Sequence, residues 1–288
     1  MKYRVMHPVI VAHGGVGSGI EYKEDVVSAV KAGYEALLAG KSALEAVIIT
    51  VKALEDNVKF NAGYGSYYNL AGEIEMDASV MTSDGRCGAV ACVHGVKNPV
   101  LLARAVMDTP HVLMAGRGAV EYAKKIGLEF ADLRSEKADK KLAEVKKKIR
   151  EGYYPQWSEK MKNIDLSEYL GDTVGAVAMD MQGKFAAANS TGGISLKLPG
   201  RVGDSAIIGA GIYAGSEGAV VTTGIGEEII KKVLAKAVYD KLAQLGAMKA
   251  CRWGVDQYDE GIPVGIIAVD KKGYGVAANK QMAWHVLP

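Results

Sequence analysis

Gly171-Asp172-Thr173-Val174-Gly175-Ala176-Val177-Ala178-Met179-Asp180 is the stretch on which the reading of this chain turns. It opens an apolar run with the character of a buried strand, and a lysine-rich segment without a core pattern precedes it. Thr173 heads the run behind an acidic residue. Branching at Cβ suits the pleated surface of a sheet, so a threonine here reads first as a strand former. The second reading makes it a nucleophile, exposed as a new N-terminus by a cut before it. Taken alone, the position favours the strand former.

The run also has an echo. The pattern from Gly175 through Asp180 and Gly183 to Asn189 returns from Gly265 through Asp270 and Gly273 to Asn279. Each copy reads as an apolar strand, a short turn containing glycine and a second apolar strand, which is a β-hairpin. Strands apolar on both faces belong to sheets covered on both sides. Further short strands are expected at 9–12 and 87–94, in a segment ending Gly209-Ala210-Gly211, and at the start of Val220 to Glu227. Helical spacing of Val26, Val27, Val30, Tyr34, Leu37 and Leu38 predicts a helix over 22–39 that stops at Gly40. Ser42-Ala43-Leu44-Glu45 is a capping box for a second helix to about Glu55. Asn98-Pro99 starts another, with more over 118–125 and from Glu227 to about Leu245. The sum is an α/β (α+β) protein, a four-layer αββα arrangement with two stacked, mostly antiparallel sheets and helices outside. A parallel βαβ sheet does not fit.

The chain has 288 residues, enough for one large domain or two small ones with a substantial core. Its 35 basic and 33 acidic side chains leave a formal charge of +2, too near balance to imply a nucleic-acid partner. No apolar run approaches the ~20 residues that span a bilayer. No long apolar stretch follows the charged first residues, so a secretory signal is not expected. Cys87, Cys92 and Cys251 form no CxxC pair and read as buried or incidental thiols, which places the chain in the reducing cytoplasm. From 131 to 170 the character changes. Lysines 137, 140, 141, 146, 147 and 148 are mixed with glutamates over sparse apolar spacing, predicting a solvated helix followed by loose chain.

Several glycine-rich loops invite chemistry. His13-Gly14-Gly15-Val16-Gly17 follows the first strand but lacks the lysine and spacing of a phosphate loop. Arg201 and Asp204 stand three residues apart in a loop that proline and glycine keep from being helical. They either pair with one another or face a ligand carrying both carboxylate and ammonium, and spacing alone favours the pair. Between Val220 and Glu227 a strand ends and a helix begins, so backbone N–H groups there either face an anion or simply cap the helix at Gly226.

Together these blocks resemble a known family. His13-Gly14-Gly15, Asn61-Ala62-Gly63 with Gly65, Glu75-Met76-Asp77-Ala78, Thr173-Val174-Gly175-Ala176-Val177-Ala178, Thr191-Gly192-Gly193, Gly200-Arg201-Val202-Gly203-Asp204-Ser205 and Thr223-Gly224 with Gly226-Glu227 look like the signature blocks of plant-type (type III) L-asparaginases, also called isoaspartyl aminopeptidases. These belong to the N-terminal-nucleophile hydrolases. The likeness runs over most of the chain, in the family's order.

The resemblance implies one N-terminal-nucleophile domain over 1–288, cut between Asp172 and Thr173 into an α part, 1–172, and a β part, 173–288, with 131–172 as flexible linker. Thr173 is then the nucleophile, Thr191 its orienting partner, and Thr223 with the Gly224 N–H the oxyanion hole. Arg201 is implied to grip the substrate α-carboxylate and Asp204 its α-ammonium, beside Gly224 and Gly226, with Asn61 next to the nucleophile. The loop from Phe60 to Gly72 matches a sodium-binding loop in which backbone carbonyls hold a structural ion. No cofactor is needed for the chemistry. Implied substrates are L-asparagine and β-aspartyl dipeptides, and the implied assembly is a homodimer of αβ units. Asp172 departs from the glycine that many asparaginases carry there and is reminiscent of glycosylasparaginases, which keeps glycosylasparagine as an alternative substrate. The alternative from another class is an unprocessed, non-enzymatic protein that binds an amino acid at Arg201 and Asp204.

Overall fold

The computed structural model describes residues 7–151 and 173–288. Its frame is a seven-stranded sheet in the order β11-β1-β5-β6-β2-β3-β4 stacked on a four-stranded sheet in the order β10-β9-β8-β7. The first sheet comprises β1 (Val9–Val16), β2 (Met76–Thr82), β3 (Cys87–Val93), β4 (Leu113–Ala115), β5 (Val174–Met179), β6 (Phe185–Thr191) and β11 (Met282–Leu287). The second comprises β7 (Ile212–Gly215), β8 (Gly218–Gly224), β9 (Val264–Asp270) and β10 (Gly273–Ala278). Among the described strands, the three-residue pairing of β3 with β4 is parallel, and the other neighbours run antiparallel.

Two-residue periodicity explains the stacking. Along β1, Val9 and Val11 point into an inter-sheet core with Val177, Phe185, Ile212, Val221 and Ile267. Ile10 and Ala12 point the other way, into a core shared with the outer helices. That outer layer is α1 (Lys23–Leu38), α2 (Ala43–Glu55) and α3 (Pro99–Met107), with α4 (Gly116–Lys125) beyond. Against the smaller sheet, Val220, Ile266 and Ala268 meet Leu234, Val238, Leu242 and Cys251 of α7 (Leu234–Leu245) and α8 (Ala247–Val255). A strand apolar on both faces has to be covered twice, at about 1.5–3 kcal/mol per buried large side chain. Four layers satisfy that requirement.

The capping box at Ser42 forms in both directions, and both echo copies are hairpins. Their aspartates do the same work. Asp180 accepts from the Gln182 and Lys184 amides of its own turn and from Ala43 N at the start of α2. Asp270 accepts from Lys272 and Gly273 in its turn and from Ala247 N at the start of α8.

Other expectations need correction. β1 does not end at Ala12 but continues through His13-Gly14-Gly15 to Val16, because β11 and β5 pair with it on either side. The segment before Gly211 is not a strand: a 3-10 turn at Asp204–Ala206 leads through an isolated bridge to β7. β10 is only half-buried, being the edge of its sheet. The helix expected over 227–245 breaks in two, α6 (Gly226–Lys232) and α7, at Val233 with φ 49°. The break lets the first amides of α7 bond back to the Gly209 and Ala210 carbonyls while Leu234 and Val238 reach the sheet. Helix α8 and strand β11 add to the expected set.

The first part of the expected linker is helix α5 (Glu136–Arg150), and it is docked rather than merely solvated. Tyr68 Oη donates to Asp139 at 2.9 Å, Lys137 Nζ to the Lys59 carbonyl at 2.7 Å, and Leu142 and Val145 pack with Leu70 and Leu196. Residues 152–172, with Asp172 and so the expected cleavage point before Thr173, lie outside the described residues. Among the described residues, no helix is long and apolar enough to cross a membrane.

Candidate active site

Thr173 stands immediately before β5, at the centre of the larger sheet. The register pairs Val174 with Ser190 on β6 and Gly175 with His13 on β1, which sets Thr173 beside Thr191. One cleft is lined by Thr173, Thr191, Gly193, Ile194, Arg201, Gly203, Asp204, Gly224 and Gly226. It lies where the ends of β5, β6 and β8 meet the loop from Gly192 to Asp204. Six residues that the resemblance singles out therefore converge there: Thr173, Thr191, Arg201, Asp204, Gly224 and Gly226.

Arg201 and Asp204 do not form the simple mutual pair that spacing favours. The Arg201 fork is taken by Glu227, with Nε to Oε1 and Nη2 to Oε2 both at 2.8 Å. Burial works to raise the Glu227 carboxyl, but the Arg201 bonds and charge outweigh it and hold it below its usual range. Asp204 is buried, and burial pushes its carboxyl up to about 7 against the pull of Arg201. Thr222 Oγ1 reaches Asp204 at 3.4 Å and donates to the Ala210 carbonyl at 2.9 Å. A cation fork and an adjustable carboxylate in one cleft suit a zwitterionic amino acid.

Two expected residues act at one remove. Asn61 is buried and holds the Gly192-Gly193 turn: its Nδ2 donates to the Gly193 carbonyl at 2.6 Å, and its own carbonyl accepts from Gly192 N at 2.9 Å. The Gly193 N–H in turn donates to Thr191 Oγ1 at 2.9 Å. Thr223 alternates with Thr222 along β8, so it faces the space between the sheets, where its hydroxyl accepts from Val16 N at 3.3 Å. Its side chain is not part of the cleft wall; Gly224 beside it is.

His13 stands in β1, ahead of the first pair of glycines. It is completely buried, and burial drives its pKa down to about 3. Nδ1 accepts from Gly15 N at 3.0 Å, which assigns the ring proton to Nε2, facing the Thr173 backbone. A neutral imidazole held through Nδ1 lies against the start of β5 and is no base near neutral pH. It also explains one glycine of the signature, because a side chain at Gly175 would begin 2.7 Å from His13 Nε2. Reasoning from sequence missed Glu227, Lys197, Asp77 and Glu75 as parts of the site. Glu75, Asp77 and Glu227 stand inside the signature blocks, and Lys197 lies three residues before one. Among the described residues, no group of three or more His, Cys, Asp or Glu side chains could hold a metal ion.

Two stacked sheets between helix layers, with a threonine opening a central strand, make this the αββα sandwich of the N-terminal-nucleophile hydrolases. A profile of the family described as asparaginase matches residues 6–287. The chain is 43% identical over 294 residues to a plant-type L-asparaginase of Thermococcus kodakarensis, covering 96% of this chain and 94% of that protein. It is 42% identical over 286 residues to a plant-type L-asparaginase of Pyrobaculum calidifontis, covering 92% and 91%. An isoaspartyl peptidase/L-asparaginase of Mus musculus is 41% identical over 293 residues, covering 96% and 86%. The chain belongs to the asparaginase family of amidohydrolases.

Proposed function

We propose that this chain is an autoprocessing threonine amidohydrolase that converts L-asparagine to aspartate and ammonia and releases aspartate from β-aspartyl peptides. The observation that carries the reading is the gathering of Thr173, Thr191, Arg201 and Asp204 around one cleft. The relatives, a plant-type L-asparaginase and an isoaspartyl peptidase/L-asparaginase, supply the two substrate classes.

In the uncut chain the Thr173 hydroxyl attacks the Asp172 carbonyl. An ester forms, the C–N bond between Asp172 and Thr173 breaks, and the nitrogen leaves as the Thr173 α-amine. Water then hydrolyses the ester and frees the hydroxyl. A threonine hydroxyl needs a base beside it, and an α-amine with an ordinary pKa of about 7.7–8.0 is suited to the task. In turnover Thr173 Oγ attacks the substrate's side-chain carbonyl, and the leaving ammonia or amine takes the proton. Water resolves the acyl-enzyme to aspartate. Backbone N–H donation at Gly224 stabilises the oxyanion, a contribution of about 2.7–4 kcal/mol per donor in comparable sites.

Arg201 takes the substrate α-carboxylate and Asp204 the α-ammonium. With its carboxyl at about 7 in the empty site, Asp204 is protonated in acid, so KM for asparagine should rise as pH falls through 7. The Asp204→Asn variant should lose that dependence.

The carbonyls of Val58 and Phe60 both turn onto Gly65, a cradle that a side chain there would fill. Residues of the loop from Phe60 to Gly72 thus suit a structural sodium ion, which would steady Asn61 rather than act on substrate. A homodimer of αβ units in the cytoplasm completes the reading. The test is intact mass together with aspartate release. A wild-type chain that stays whole on long incubation and frees no aspartate from asparagine or β-aspartyl-leucine would end this proposal.

A further inference from the structure

Lys197 is buried beneath the cleft, and the reaction above makes no use of it. The residue is 1% exposed, and Nζ donates to the Glu75 carbonyl at 2.9 Å. An ammonium taken out of water is costly unless a carboxylate answers it. Asp77 does so. Burial raises the Asp77 carboxyl, Lys197 is the strongest influence pulling it back, and the Cys92 and Gly203 amides donate to it at 2.9 and 3.3 Å.

Gly193 brings this buried charge to the substrate. With φ 75°, Gly193 lines the cleft, and a side chain there would begin 3.0 Å from Lys197 Nζ and 3.4 Å from Arg201 Nη1. Two cations thus border one point of the wall. Glu227 occupies Nε and Nη2 of Arg201 and offsets its charge, which leaves Nη1 on the Gly193 side. The same glycine holds Thr191 through its N–H and Asn61 through its carbonyl. Lys197 therefore backs the turn that joins the nucleophile's neighbour to the arginine.

We propose that Lys197, anchored by the Glu75 carbonyl, is a positioning residue that sets specificity for the substrate α-carboxylate by placing a second positive charge behind Arg201 at the Gly193 turn. This rests on the reading that Arg201 grips that carboxylate, and the test separates the two.

The experiment compares L-asparagine with 3-aminopropanamide, the same amide without its carboxylate, on processed enzyme. Lys197→Gln retains a donor for the Glu75 carbonyl and removes the charge. It should lower kcat/KM for asparagine about tenfold, mainly through KM, and leave 3-aminopropanamide within about twofold. Equal losses on both substrates, or none on either, overturn the proposal. Arg201→Gln is the control. If it leaves the discrimination intact, the carboxylate grip itself is wrong. If it erases the discrimination while Lys197→Gln does not, only the role of Lys197 falls. Lys197→Met serves as the second neutral variant. Should both neutral variants fail to process while Lys197→Arg succeeds, the lysine is structural and the proposal is overturned.

Discussion

The hairpins β5–β6 and β9–β10 share a plan and differ in what they do. Each has its aspartate tying turn to helix, through Ala43 in the first and Ala247 in the second. Each ends its pattern in an asparagine that bonds across the sheet or loop: Asn189 to the Gly211 carbonyl at 3.3 Å, Asn279 to the Ile262 carbonyl at 2.8 Å. The hairpins part at the residue before the first strand. Thr173 precedes β5, and the matching position before β9 is Pro263. Proline has no hydroxyl and no amide hydrogen, and its carbonyl only accepts from Ile225 N at 3.3 Å. Surroundings differ as well. The first hairpin lies inside the larger sheet with Arg201 and Asp204 at its mouth, whereas β10 is an edge. The shared pattern builds architecture, and what sets the first hairpin apart is one residue and the loops around it.

The sharpest break of this comparison is Thr173→Ala, which should abolish chain cutting on denaturing gels and reduce aspartate release by orders of magnitude. The converse change, Pro263→Thr, should create no second cut and no new activity, because Pro263 is not among the residues that line the cleft with Arg201 and Asp204. A cut before position 263 would show that the strand end, not its surroundings, makes the nucleophile.

Next in size are the aspartates. Each leaves three backbone donors without an acceptor when replaced, so Asp180→Ala and Asp270→Ala should each cost about 2–3 kcal/mol in urea unfolding. A cost confined to one of them would mean that the echo is not structural.

Glu55 gives the first hairpin a pH dependence that the second lacks. It is fully buried behind Ser190 with Oε1 accepting from Val100 N at 2.9 Å, and burial pushes its carboxyl up to about 8. The folded state then holds a proton that the unfolded chain releases near 4.5. Stability is greatest below that value and is lost as pH rises toward 8. Glu55→Gln should flatten this part of the profile, measured by urea midpoints at several pH values.

The smallest effect concerns the helices that cover each sheet. Helix α2 starts from a capping box and runs unbroken, whereas the cover of the second sheet turns at exposed Val233 in the left-handed region. Val233→Asn should raise stability by about 1 kcal/mol, read as a higher melting temperature with unchanged kinetics.

Much of this was legible beforehand because it rests on local or periodic chemistry. The capping box at Ser42, proline at the start of α3 and the doubled hairpin pattern all act within a few residues. The blocks around Thr173, Thr191 and Arg201 marked the cleft. What could not be read depends on partners distant in sequence. Arg201 looked closest to Asp204 but is held by Glu227, 26 residues away. Thr222 and Thr223 look alike in the chain, yet strand alternation turns one to the helices and the other to Val16. The break at Val233 answers carbonyls of Gly209 and Ala210 that no helical periodicity contains.

The sequence by itself determined the layers, since strands apolar on both faces must be covered twice. It also determined the family, through blocks whose order and content recur together. Tertiary structure decided the meaning of Thr173. Strand propensity accounts for a threonine there; pairing with β1 and β6 is what sets it between a neutral His13 and the Thr191 turn, within reach of Arg201 and Asp204. Lysine 197 is the plainest case of the same rule. In the chain it is one cation among 35, and only burial against Asp77 and Gly193 makes its charge felt at the site.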